Sequence, residues 1–185
     1  MPTRVSGACG SGECLVCEGV GVDGAMRQGS WSIPAIDGAE VRLRSGRIGL
    51  VTVDATAPIS AGRLTVGPEA AALELSIALG RMRTGNLILQ TAARSLISAH
   101  RVQDLVYSGT GPVAAMTVQG TATAGDIALE IALRITAIGP SHDPMGEIEL
   151  TGSANVGTVH IPLPGMGTVE DFSFDVDARL RTAVA

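Results

Sequence analysis

The chain has 185 residues, 45% hydrophobic and 17% charged, with a formal net charge of −5. That is enough for one folded domain with a sizeable core, and it excludes a disordered chain. No basic stripe with interleaved aromatics is present, which argues against a nucleic-acid partner, and no apolar run approaches the ~18 residues that span a bilayer.

Residues 1–29 are rich in Gly, Ser and Cys and show no sustained periodicity. They read as a flexible arm ahead of a folded domain spanning 30–182. The N-terminus MPTRVSGACG lacks the basic and apolar regions of a secretory signal, so a cytoplasmic location is expected. The arm holds all three cysteines, Cys9, Cys14 and Cys17, in ACGSGECLVCEG. Cys14 and Cys17 form a CxxC, a spacing at which two thiolates grip one zinc or form a redox pair. A structural zinc needs four ligands, so Glu13, Glu18 or a distant His would have to complete the set. With no second CxxC, an inert tail, a metal site and a disulfide or redox role all stay open.

Strands begin at Trp31. SWSI and Glu40–Leu43 alternate, and Ser45-Gly46-Arg47 suggests a turn before IGLVTVDA. GRLTV stops at Gly67-Pro68, and ALELSIALG alternates through Leu73, Leu75, Ile77 and Leu79. After Thr84-Gly85-Asn86 the period changes. In NLILQTAARSLIS the apolar residues Leu89, Ala92, Ala93, Leu96 and Ile97 are spaced three and four apart, which predicts a helix capped by Asn86. Strands resume with RVQDLVYSG and VAAMTVQG.

The stretch Asp126–Gly139, DIALEIALRITAIG, has a helical composition and a strand pattern. Ile127, Leu129, Ile131, Leu133 and Ile135 fall on every second residue. Successive strand side chains leave opposite faces, and burial commonly overrides propensity, so a strand is predicted. GEIELTGSANV, TVHIPL and DFSFDVDARL follow. The last has Phe172, Phe174, Val176, Ala178 and Leu180 on one face and Ser173, Asp175, Asp177 and Arg179 on the other. PLPGMG, between the last two, reads as a lid or an ordinary connection.

Roughly eight strands with hairpin-length connections and one short helix mid-chain predict an all-β antiparallel barrel or sandwich. Aromatics are only 2% of the chain, so Leu, Ile, Val and Ala must build the interior. A barrel of about eight strands is either filled by its own side chains or holds one small ligand, and the pattern leaves both open.

Catalytic signatures are missing from the sequence. His100, His142 and His160 lie in separate segments without HxxxH or HxH spacing, and His142, in a predicted loop beside Pro144, reads as a solvated loop residue. There is no GxSxG, GxGxxG or P-loop, so a non-enzymatic protein is expected and no catalytic residue is nominated.

The order of elements resembles the YceI-like family. The resemblance runs from about Gly29 to Leu180: the W-x-I strand at Trp31–Ile33, LELSIALGRMRTGN ending in a Thr-Gly-Asn corner before a short helix, GTATAGDIALEIALRITAIG, and the loop GPSHDPMG. The helix segment LILQTAARSL lacks the Arg-Asp and His-Leu pairs usual there. The resemblance implies a lipocalin-like barrel that carries or sequesters a polyisoprenoid or fatty-acid-like lipid and needs no cofactor. A lumen lined by Ile77, Leu79, Leu89, Ile131, Leu133, Val176 and Leu180 is expected. A chain of about ten carbons at ~0.8 kcal/mol per methylene would give micromolar affinity before ordering costs. The alternatives are an interaction module, in which a solid barrel binds a protein, and a thiol- or metal-dependent sensor using Cys9, Cys14 and Cys17. A homodimer is compatible with each.

Overall fold

The structure is a computed structural model that describes residues 27–36, 38–48, 51–99, 101–138, 145–160 and 168–185. Cys9, Cys14, Cys17, His100, His142 and the Pro162–Gly167 segment lie outside the described residues. The strands are β1 (Gly29–Ile33), β2 (Glu40–Ile48), β3 (Val51–Val66), β4 (Ala70–Ala78), β5 (Arg83–Thr84), β6 (Asp104–Pro112), β7 (Thr117–Ala124), β8 (Ile127–Ile138), β9 (Met145–His160) and β10 (Thr168–Val184). A single helix, α1 (Leu87–Ala99), lies between β5 and β6.

Eight strands close a barrel in the order β10-β2-β3-β4-β6-β7-β8-β9, and β9 pairs back onto β10. Every described pairing is antiparallel. Closure removes the unpaired edges that would otherwise template association. β1 and β2 share one slot in the wall. Both run against β3, with Ile33 opposite Gly62 and Glu40 opposite Pro58, so the intervening residues loop out between two halves of one interrupted strand. The loop is stitched down by Ala39, whose N–H donates to Ile36 O at 3.1 Å and whose carbonyl accepts from Ile59 N at 2.8 Å.

The period-two stretches resolve as the alternation demands. In β8, Ile131, Leu133 and Ile135 are buried, while Glu130, Ala132, Arg134 and Thr136 are exposed. In β10, Val176, Ala178 and Leu180 point inward between exposed Asp175, Asp177, Arg179 and Arg181. The outward face thus carries charge and the inward face is apolar, the reverse of a membrane-spanning barrel. No helix of the described residues is long and apolar enough to cross a membrane.

Four local readings change. Ser45-Gly46-Arg47 is a bulge inside β2 rather than a turn, with the register shifting between Arg44 and Arg47. Buried Ser45 makes the bulge self-sufficient: its Oγ accepts from Val53 N at 2.9 Å and donates to Gly46 O at 2.8 Å. A Ser-Gly pair serves a turn and a bulge equally, so local sequence does not separate them. VTVDA, from Val51 on, and GRLTV belong to one 16-residue strand, β3, with a bulge between Ile59 and Ala61. GEIELTGSANV and the start of TVHIPL likewise fuse into β9. Val113–Ala115 is a 3₁₀ turn, and β7 starts only at Thr117.

Asn86 caps α1, accepting at Oδ1 from Ile88 N at 2.8 Å. Gln90 ties the helix to the preceding segment, with Oε1 accepting from Thr84 N at 2.6 Å and Nε2 donating to Met82 O at 2.8 Å. Arg101, at φ 52°, ends the turn beyond the helix, and Val102 then packs at the β7–β8 turn, against Gly125.

The interior divides into two ends. At the end nearest β1, Ile33, Leu64, Leu73, Val118, Ile148 and Leu180 are each 1% exposed or less and form a filled core. Toward α1 and the β7–β8 turn the inward residues shrink to Ala57, Ala122, Ala124 and Ala178. Alanines in facing strands leave a space that the surrounding Leu and Ile do not fill.

Candidate functional site: an apolar cavity in one half of the barrel

That space is a cavity of about 130 Å³. Its walls are Val41 and Leu43 from β2, Leu75 and Ile77 from β4, Leu105 and Tyr107 from β6, Leu129, Ile131 and Leu133 from β8, and Phe174 and Val176 from β10, with the alanines between them. It opens to solvent past Leu43, Leu79, Leu105 and Ile127; Ile127 lines the cavity and is still 56% exposed, which marks the rim.

Among the described lining residues, Tyr107 alone carries a polar side-chain atom. Its hydroxyl is committed to the protein, lying 3.1 Å from Val118 O and 3.3 Å from Ile131 O, to which it donates. The ring is 2% exposed, and burial pushes the phenol up to about 12 from 10.0. The cavity therefore offers a guest no free donor, acceptor or charge. Such a lining suits an apolar guest, and an apolar cavity of ~150 Å³ accepts a benzene-sized molecule.

Five of the residues expected to line the lumen, Ile77, Leu79, Ile131, Leu133 and Val176, meet around this cavity. The other two stand elsewhere. Leu180 faces inward at 1% exposure, but one inward position past Ala178, in the filled half. Leu89 is half-buried on α1, which packs against β5 and the 3₁₀ turn at Leu79–Arg81, and Leu89 is not part of the lining. Leu75, Leu129 and Phe174 were legible, since each continues the alternation of Ile77, Ile131 or Val176. Tyr107 had a subtler signal: the next inward position on its strand is a glycine.

Outside the barrel the charged groups pair across strands. Arg42 Nε donates to Asp54 Oδ1 at 2.9 Å, and Arg179 Nε lies 2.8 Å from Glu147 Oε1. The hydrogen bond from Arg42, with the charges of Arg42 and Arg44, holds the Asp54 carboxyl below its usual range. These pairs sit on the solvent face and add no chemistry to the cavity. Comparison with known proteins finds no family model that matches this chain and no curated protein that matches it.

Proposed function

We propose that the barrel binds an apolar guest and that its function is carriage or sequestration of a lipid through its hydrocarbon chain. The observation that carries this reading is the cavity, apolar in all of its described lining side chains except one hydroxyl that is already bonded internally. The resemblance of the element order to the YceI-like barrels supports it. The described lining residues offer no carboxylate, imidazole or thiol, which favours a binding protein over an enzyme.

The cavity's size refines the expectation. At about 130 Å³ it holds roughly six carbons, by comparison with the benzene-sized cavity, rather than a whole polyisoprenoid. The guest is then a small hydrocarbon or the end of a longer chain, inserted tail first, with any polar head left at the rim near Ile127. Six methylenes at ~0.8 kcal/mol supply about 5 kcal/mol, a dissociation constant on the order of 0.3 mM for the inserted segment. Tighter binding requires contacts outside the cavity.

The test is titration with a fluorescent apolar probe, together with native mass spectrometry of the purified protein. Wild type takes up the probe. Leu133→Glu, which puts a carboxylate on the cavity wall, loses uptake. A folded Leu133→Glu variant that binds the probe as wild type does would show that the guest sits elsewhere.

A further inference from the structure

Tyr107 is the residue that joins the hollow half of the barrel to the filled half. Its backbone stands level with Leu75 on β4 and Ala122 on β7, both cavity residues. Its hydroxyl reaches the carbonyls of Val118 and Ile131, so the ring lies lengthwise, pointing away from the rim. The next inward positions on β6 and β7 are Gly109 and Gly120, paired directly opposite each other. Neither presents a side chain, and neither could: a Cβ on Gly109 would overlap the Tyr107 hydroxyl, and one on Gly120 would overlap the backbone of Ser108 and Gly109. The ring occupies the space over Gly109. Leu73 on β4 stands level with Gly109, and Val118 is one inward position past Gly120; both are 0% exposed.

We propose that Tyr107 is the depth stop of the cavity, the residue that determines how long a hydrocarbon segment the barrel accepts. This rests on the reading of the cavity as a guest site. The ring does the blocking, and it is seated against Gly109. Removing the ring would join the glycine-walled space to the cavity and lengthen it along its axis.

The experiment is binding of a homologous series of straight-chain alcohols, neutral probes of graded length, to the full chain. Each added methylene that enters the cavity tightens binding about fourfold. In wild type the gain is expected to stop at the length where the chain meets the ring. In Tyr107→Ala the gain is expected to continue for two or three further methylenes, making the longer alcohols roughly 15- to 60-fold tighter than in wild type. Tyr107→Phe keeps the ring and should keep the wild-type break. Leu64→Ala opens space in the filled half and should leave the break unmoved. An unmoved break in folded Tyr107→Ala overturns the proposal while leaving the guest site standing; so does a break that moves in Tyr107→Phe or Leu64→Ala. Should Tyr107→Ala fail to fold, Tyr107→Leu decides on the same criterion. A wild-type protein that binds none of the series removes the guest site and this proposal with it.

Discussion

The burial of Tyr107 makes a quantitative demand on stability at alkaline pH. Its phenol titrates near 10.0 when solvated and at about 12 in the fold, because burial penalises the phenolate. A folded-state pKa above the unfolded one means that the contribution is fully present below pH 10 and is lost as pH rises toward 12. Over that window two units are worth about 2.7 kcal/mol, a large share of the stability of a small domain. The chain makes the measurement clean, because Tyr107 is its only tyrosine and its 13 basic residues are all arginine. No lysine titrates in the same window, and tyrosinate absorbance reports this one side chain. Urea unfolding at stepped pH should show the loss in wild type. Tyr107→Phe should lose a modest amount at neutral pH, on the order of 1 kcal/mol for the missing hydroxyl, and should be spared the alkaline fall. An absorbance midpoint near pH 10 in the native protein would refute the reasoning: it would mean that water reaches the hydroxyl and that the cavity has no dry floor.

Other consequences follow from the division of the interior. Leu64, 0% exposed in the filled half, should cost about 3–4 kcal/mol when changed to Ala, whereas half-buried Leu129 at the cavity should cost much less; chemical denaturation compares the two. Asp54→Asn should cost little at neutral pH, since the pair with Arg42 is substantially exposed. Because the Asp54 carboxyl is held below 3.8, its contribution is present above that pH and vanishes as pH falls through the folded value, so wild type and variant should converge in acid. Leu133→Glu should abolish probe uptake, as measured by fluorescence titration.

The architecture was legible wherever one face of a strand is buried and the other solvated. β8 and β10 show this best: a one-residue slip would expose Ile131, Leu133 and Val176 together, so the pattern fixes the register. Helix α1 was legible from its spacing and from the Asn86 cap. What local sequence could not supply was continuity. β3 carries Pro58 and a bulge and still runs through, because its partners change from β2 to β1 at that point. The cavity was only half legible. Alternation identifies the inward face of each strand but not which inward residues share a level around the barrel, and that register decides whether alanines coincide. Ala57, Ala122, Ala124 and Ala178 all line one space, and the hollow is there. Leu180 obeys the same alternation yet belongs to the solid half. Leu89 obeys a helical period, and its helix lies against β5 and the neighbouring turn, so Leu89 does not line the lumen.

The account stands or falls on whether the interior is hollow at one end and solid at the other. Diffraction from crystals equilibrated with xenon, a neutral apolar atom that enters dry cavities, tests this directly. The prediction is density enclosed by Leu75, Tyr107, Leu133 and Val176, and none around Leu64 and Ile148. A barrel without xenon in that space, or with xenon at the Leu64 end, would contradict it.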